Sequence, residues 1–230
     1  MSNVYNWFRY LPYSILMLSV DNIISILEND LKEIRMPSAE LTVNSFEDGV
    51  EIWNHKDVID FYQGRAMKWQ PRYDTAVFLP SSASKPYPYS PSHKKGYLRA
   101  LLPILKQIDL FVVSEPMVIV PYCYSDEYPV HSYDYNHNKL YMRKLSNPLA
   151  RESRDIFIDR LSSWISKYHE NYSKKILILP TSWHLKIFKS ALRKTNYSIN
   201  DYHVIRIPGR PNTEFSSKGI RKQLMELSEE

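Results

Sequence analysis

Between Leu79 and His93 the chain reads Leu-Pro-Ser-Ser-Ala-Ser-Lys-Pro-Tyr-Pro-Tyr-Ser-Pro-Ser-His. Serines, a lysine, two tyrosines and a histidine can donate, accept or carry protons. Prolines stiffen the segment and no glycine loosens it, so its side chains are held in nearly fixed positions. The plain alternative is a rigid Pro/Ser turn. Other segments carry related chemistry. Trp183-His184 stands at a strand-to-helix junction, where the indole can stack on a base or simply pack at the start of a helix. Arg206, Arg210 and Asn212 suit phosphate or a base edge, or a solvated loop. His131 and His137 flank Asp134, without the spacing of a zinc site.

The flanking pattern positions these residues. Thr75–Leu79, Leu110–Val113, Met117–Val120, Lys175–Leu179 and His203–Ile207 are short apolar runs that predict buried strands. Between them lie amphipathic helical patterns from Lys94 to Ile108, from Asn147-Pro148 to His169, and from Ser182 onward. A last helix is predicted from Ser216 to Leu227. Asn147 followed by Pro148 is a helix start, a cap followed by proline at the first position. This alternation predicts an α/β fold, a mainly parallel sheet with helices on both faces. Ligands in such folds sit beyond the carboxyl ends of the strands. The loops Pro80–His93, Pro180–His184 and Pro208–Asn212 are therefore expected to converge on one site.

Residues 1–54 read as a small α+β appendage on a core of 55–230. Residues 1–18 are aromatic and irregular, either docked on the body or forming an oligomer contact. A helix is predicted from Asp21 to Pro37. Leu41–Val43 and Val50–Trp53 are predicted strands around a Glu47-Asp48-Gly49 turn, and a helix is expected over His55–Met67. Pro121–Ser146 is a long tract rich in Tyr, His, Asp and Asn, the kind of segment that carries function.

The 230 residues suffice for a substantial core, and 43% of them are hydrophobic, as in globular proteins. A formal charge of +5 leans toward a polyanionic partner. The 18 tyrosines suit half-buried cores or nucleobase stacking. The single cysteine, Cys123, rules out an internal disulfide and a cysteine-cluster metal site. A reducing, cytoplasmic setting and no membrane partner are expected, because no apolar stretch reaches spanning length. Leu11–Leu18 is short, follows Arg9 and lacks a cleavage pattern.

The Leu79–His93 stretch resembles the signature of archaeosine synthase, an archaeal tRNA-modifying family related to tRNA-guanine transglycosylases. That signature follows an apolar strand with Pro-Cys, three residues, Lys-Pro-Tyr, two residues, Ser, two residues and His. Here it reads Pro80-Ser81, Lys85-Pro86-Tyr87, Ser90 and His93, with Ser81 in place of the cysteine. The similarity extends to His55–Phe61 and to Tyr128-Pro129-Val130-His131-Ser132-Tyr133-Asp134, over roughly residues 50–227. The family's transglycosylase-like portion and its PUA domain have no counterpart in this sequence. The strand order also looks like the uracil-DNA glycosylase-type three-layer sandwich, a likeness of topology.

The resemblance implies transfer of free lysine's side-chain amine to the nitrile of 7-cyano-7-deazaguanine in tRNA, with a radical-SAM partner acting afterwards. The chain would act alone or beside a transglycosylase-like or PUA-containing subunit, and no cofactor is implied. The attacking amine, with a reference pKa of about 10.4, must lose a proton, and the nitrile nitrogen must gain a donor. His93 or Asp134 would be the base. Lys85, Tyr87 or Ser90 would donate to the nitrogen or hold the lysine carboxylate. His131, Trp183, His184, Arg206, Arg210 and Asn212 would bind substrate. A cysteine at 81 could form a thioimidate, whereas serine points to direct amine attack or to a non-catalytic tRNA-binding role.

Overall fold

The computed structural model describes residues 18–28, 41–135, 146–179, 183–207 and 209–227. In chain order the elements are α1 (Val20–Glu28), β1 (Leu41–Val43), α2 (Phe46–Glu51), α3 (Lys56–Phe61), β2 (Thr75–Pro80), α4 (Leu98–Leu101), β3 (Asp109–Ser114), β4 (Val118–Pro121), β5 (Tyr133–Tyr135), α5 (Pro148–Tyr168), β6 (Lys174–Leu177), α6 (Trp183–Leu192), β7 (His203–Val204) and α7 (Glu214–Glu226). The main sheet has the order β4-β3-β2-β6-β7, parallel except for β4, which returns from β3 as a hairpin. The fold is thus α/β with a mainly parallel sheet, as the alternating pattern predicted.

Side chains alternate across a strand, so Phe78 and Val77 serve opposite faces. Phe78 stacks on Phe111 of the neighbouring strand at 5.4 Å, and Trp164 of α5 stands edge-on to both. Phe188 of α6 closes on the same ring at 5.3 Å. The helical run 92–107, with Tyr97, Leu98, Leu101 and Leu105 buried, packs against α7. Crossovers β2 to β3 and β6 to β7 run in opposite directions across the sheet. Right-handed crossovers then place their helices on opposite faces, and the chain parts at the carboxyl ends of β2 and β6. Those ends are where a ligand crevice forms in such sheets.

Local chemistry explains where the helices start and break. Asn147 Oδ1 accepts from the backbone N–H groups of Leu149 and Ala150 at 2.8 and 3.4 Å, capping α5 at the predicted place. The run predicted as one helix from Lys94 to Ile108 is instead a π turn, a short α segment and a 3-10 turn. Pro103 has no N–H to give the carbonyl of Arg99 four residues back. The guanidinium of Arg221, on α7, donates to that carbonyl instead.

Around residue 48 the structure corrects the sequence reading. Glu47-Asp48-Gly49 is not a turn, and Val50–Trp53 is not a strand. Ser45 and Asp48 form a capping box, Ser45 Oγ accepting from Asp48 N at 3.0 Å, and the chain runs on as α2 and a 3-10 turn. β1 finds its partner far along the sequence, pairing in parallel with β5 in a second, two-stranded sheet. Trp53 is fully buried against Phe157 and donates to Ser153 Oγ at 2.7 Å. The described part of the N-terminal segment therefore shares the central core. Its aromatic start, residues 1–17, lies outside the described residues. Among the described residues no helix is long and apolar enough to cross a membrane.

Gly96 fixes how the loop after β7 is seated, because a Cβ there would lie 1.7 Å from the carbonyl oxygen of Pro211. The neighbour is backbone and cannot simply swing away. Gly96→Ala is expected to lower stability by roughly 1–3 kcal/mol, read as a drop in the urea midpoint.

Candidate active site

The Lys85–His93 segment folds as one unit. Ser90 Oγ accepts from His93 N at 3.3 Å, and the ring of Tyr87 stacks on that of His93 at 5.3 Å and 18°. The ring of Tyr122 lies 5.8 Å from that of His93 at 27°. The imidazole is fully buried and bonded at both nitrogens. A carbonyl can only accept, so Nε2–H donates to the Pro80 carbonyl at 3.0 Å. Nδ1 then accepts from the Tyr122 hydroxyl at 3.1 Å. Burial drives the pKa down to about 3, the Pro80 carbonyl opposing this and the charge of Lys85 adding to it. His93 is therefore not the general base. It is a neutral pillar that fixes the end of β2 to the hairpin.

Tyr87 and Ser90 are corrected in the same way, since both are fully buried. The Tyr87 hydroxyl bonds Ser114 Oγ at 2.9 Å and the Tyr133 hydroxyl at 2.7 Å. Tyr133 also bonds Ser114, and Ser114 donates to Ser81 Oγ at 3.0 Å. Desolvation raises the pKa of both phenols, so neither gives up its proton readily. Their hydroxyls form the floor of the site.

Lys85 lies on that floor. Its Nζ is 3.9 Å from the ring centre of Tyr133 and 5.8 Å from that of Tyr87, and it donates to the Ser82 carbonyl at 3.0 Å. Burial lowers its pKa to about 8, with the carboxylates of Asp134 and Glu115 pulling back toward the charged form. A useful fraction of free amine therefore exists near neutral pH. Asp134 is exposed on β5, close enough to act on that charge.

Glu115, which sequence reasoning missed, links the second loop to the first. It is 6% exposed at the end of β3 and accepts from the indole Nε1 of Trp183. His184 Nε2 faces its other oxygen at 3.2 Å. Strands β3 and β6 flank β2, so this contact joins the two neighbours of the strand that ends at Pro80, just before Ser81. Trp183 is buried and turned inward, which corrects its assignment as a base-stacking surface. The signal for Glu115 was its setting in Ser114-Glu115-Pro116, a carboxylate closing an apolar strand. Val118, just beyond, is buried at φ 67°, an uncommon value for a β-branched residue, and it holds the hairpin that presents Glu115.

The remaining residues are less closely joined. His131 is held in its own turn by Ser132 Oγ at 2.6 Å. Arg206, Arg210 and Asn212 are exposed. The backbone of Arg206 is tied to Gln223 of α7, and the loop carrying Arg210 rests on Gly96 through Pro211. The third loop thus meets the helical run that follows the first loop, rather than Lys85 itself. His137, Pro180 and the predicted cap Ser182 lie outside the described residues. Cys123 is buried, and desolvation pushes its thiol up to about 12, so it is no thiolate nucleophile. Among the described residues no group of three or more acidic, His or Cys side chains is arranged to hold a metal ion.

The neutral His93 makes stability depend on pH. Its folded pKa of about 3 lies below the ordinary 6.5. The contribution is therefore complete above pH 6.5 and lost as pH falls toward 3, the unfolded chain taking the proton first. Between pH 7 and pH 5 this group alone is expected to cost about 2 kcal/mol. Urea denaturation at the two pH values, compared with His93→Gln, should show that slope flattened in the variant.

A family model described as a domain of unknown function (DUF5591) matches residues 58–144, the part that carries the Lys85 loop, Glu115 and Asp134. No curated protein matches the chain. Among solved structures it is similar to the crystal structure of AF0587, a protein of unknown function, with a TM-score of 0.40 and 12% identity. The alignment covers 71% of this chain and 48% of that one, so the chain spans less than half of that protein's length.

Proposed function

We propose that this chain acts in archaeosine formation, transferring the side-chain amine of free lysine to the nitrile of 7-cyano-7-deazaguanine in tRNA, alone or beside a transglycosylase-like subunit. The observation that carries this reading is the state of Lys85. An amine that changes charge near neutrality is held at a walled edge of the sheet, inside the segment that resembles the synthase signature. Proton handling at a nitrile needs a group of that kind. Asp134, exposed beside it, is assigned the proton shed by the incoming amine. Arg206 and Arg210, exposed on the loop after β7, are assigned to tRNA phosphate. The strand order and the two helical layers are in keeping with a glycosylase-type sandwich, from which no base excision follows.

Ser81 favours the second reading, a tRNA-binding module without turnover, because its hydroxyl partner is another hydroxyl rather than a base. Mass spectrometry of nitrile-bearing tRNA incubated with the protein and lysine decides between them. The transfer reading expects a lysine-dependent mass gain, reduced about 100-fold or more by Lys85→Ala. Salt-sensitive tRNA binding without that mass gain would leave the binding reading in its place.

A further inference from the structure

A transfer to a nitrile can run in one step or through an enzyme-bound intermediate, and the side chains around Ser81 bear on which. A covalent route needs a nucleophile that can shed its proton. Ser81 lacks a base among its hydrogen-bond partners in the described residues. Its backbone N–H is spent on Val113, and its Oγ accepts from Ser114. Ser114 in turn is surrounded by the hydroxyls of Tyr87 and Tyr133, both buried phenols that hold their protons. Cys123 is sequestered in the turn after β4, where its carbonyl accepts from Leu18 N at 2.8 Å. His93 is closed at both nitrogens. Each of these alternatives is shut by a specific contact.

Lys85 is not. Its Nζ is placed by two aromatic faces and one carbonyl, none of which can take its proton or form a salt link with it. Within the described residues no carboxylate oxygen lies within ion-pairing distance of Nζ, although Asp134 and Glu115 both act on it from farther away. The neutral amine donates one N–H to Ser82 and keeps its lone pair for an incoming carbon. Lysines desolvated in this manner serve as nucleophiles toward electrophilic carbon.

We propose that Lys85 is the nucleophile of this site, adding through Nζ to the nitrile carbon of the modified base and holding it as a covalent amidine until the free amine displaces it. The identity of the electrophile rests on the function proposed above; the choice of nucleophile rests on the contacts just described. In the first step the Nζ–C bond forms, one π bond of the nitrile opens, and the proton lost from Nζ passes to the nitrile nitrogen. In the second the free amine adds to the same carbon, the C–Nζ bond breaks, and Nζ recovers a proton from the incoming amine. No oxidant, reductant or further reactant is consumed.

The test incubates the protein with nitrile-bearing tRNA in the absence of free lysine, followed by nuclease and protease digestion and mass spectrometry of the Lys85 peptide. Lys85→Arg, whose thermal melt reports whether it folds, is treated in parallel, and lysine transfer to tRNA is measured for both proteins in separate reactions. The expected result is a peptide heavier by the nitrile nucleoside in the wild type, absent from Lys85→Arg and chased away by added lysine. No adduct, with transfer proceeding equally in both proteins, overturns the covalent step and leaves the proposed function standing. No adduct and no transfer overturns both. An adduct without transfer to lysine upholds Lys85 as nucleophile and removes free lysine as the acceptor.

Discussion

A buried imidazole holds the working edge of this protein together. His93 has one nitrogen on the carbonyl that ends β2 and the other on a tyrosine at the far end of the hairpin, with the ring of Tyr87 stacked on it. The Pro80 carbonyl fixes a proton on Nε2, and burial keeps the ring neutral, so Nδ1 accepts from Tyr122 with both nitrogens out of solvent. Because the ring cannot turn, Tyr87 stays stacked against it. The Tyr87 hydroxyl then meets Ser114 and Tyr133, and the ring of Tyr133 lies beneath Lys85. The position of the amine is the last link of a chain that begins at the histidine.

The same residues show why sequence takes one only part of the way. The alternation of apolar runs and amphipathic stretches is a local property, so the sheet, its helices and the cap at Asn147 are readable directly. The capping box at Ser45 and Asp48 is equally local, but it is overlaid by the apolar alternation of Val50–Trp53, which carries the opposite signal. The role of His93 could not be read, because acting as a base requires access, and Tyr122, which occupies its Nδ1, lies 29 residues further along the chain. The motif marked the right segment but assigned the exposed roles to its buried members. Glu115 was hidden for the opposite reason, since its partners follow it by nearly 70 residues and meet it only across the sheet.

Electrostatics at the site is a balance between removal of water and two acidic neighbours. Desolvation alone would strip Lys85 of its charge more strongly, and full pairing with a carboxylate would pin it as an ammonium. Asp134 and Glu115 lie at a distance that does neither, so the pKa stays at about 8 and a minor fraction of the group is neutral near pH 7. Glu115 is in turn occupied by Trp183 and His184, so the loop after β6 shares in setting that balance.

The guanidinium of Arg221 fills the hydrogen-bond position that Pro103 leaves empty at the carbonyl of Arg99. Two residues remote in sequence therefore behave as one interaction. Restoring a donor at 103 would make Arg221 a competitor for the same oxygen, whereas losing Arg221 alone would leave it to solvent. The effects of changing the two should accordingly fail to add, so that the helical run behind the Lys85 loop and the C-terminal helix vary together or not at all.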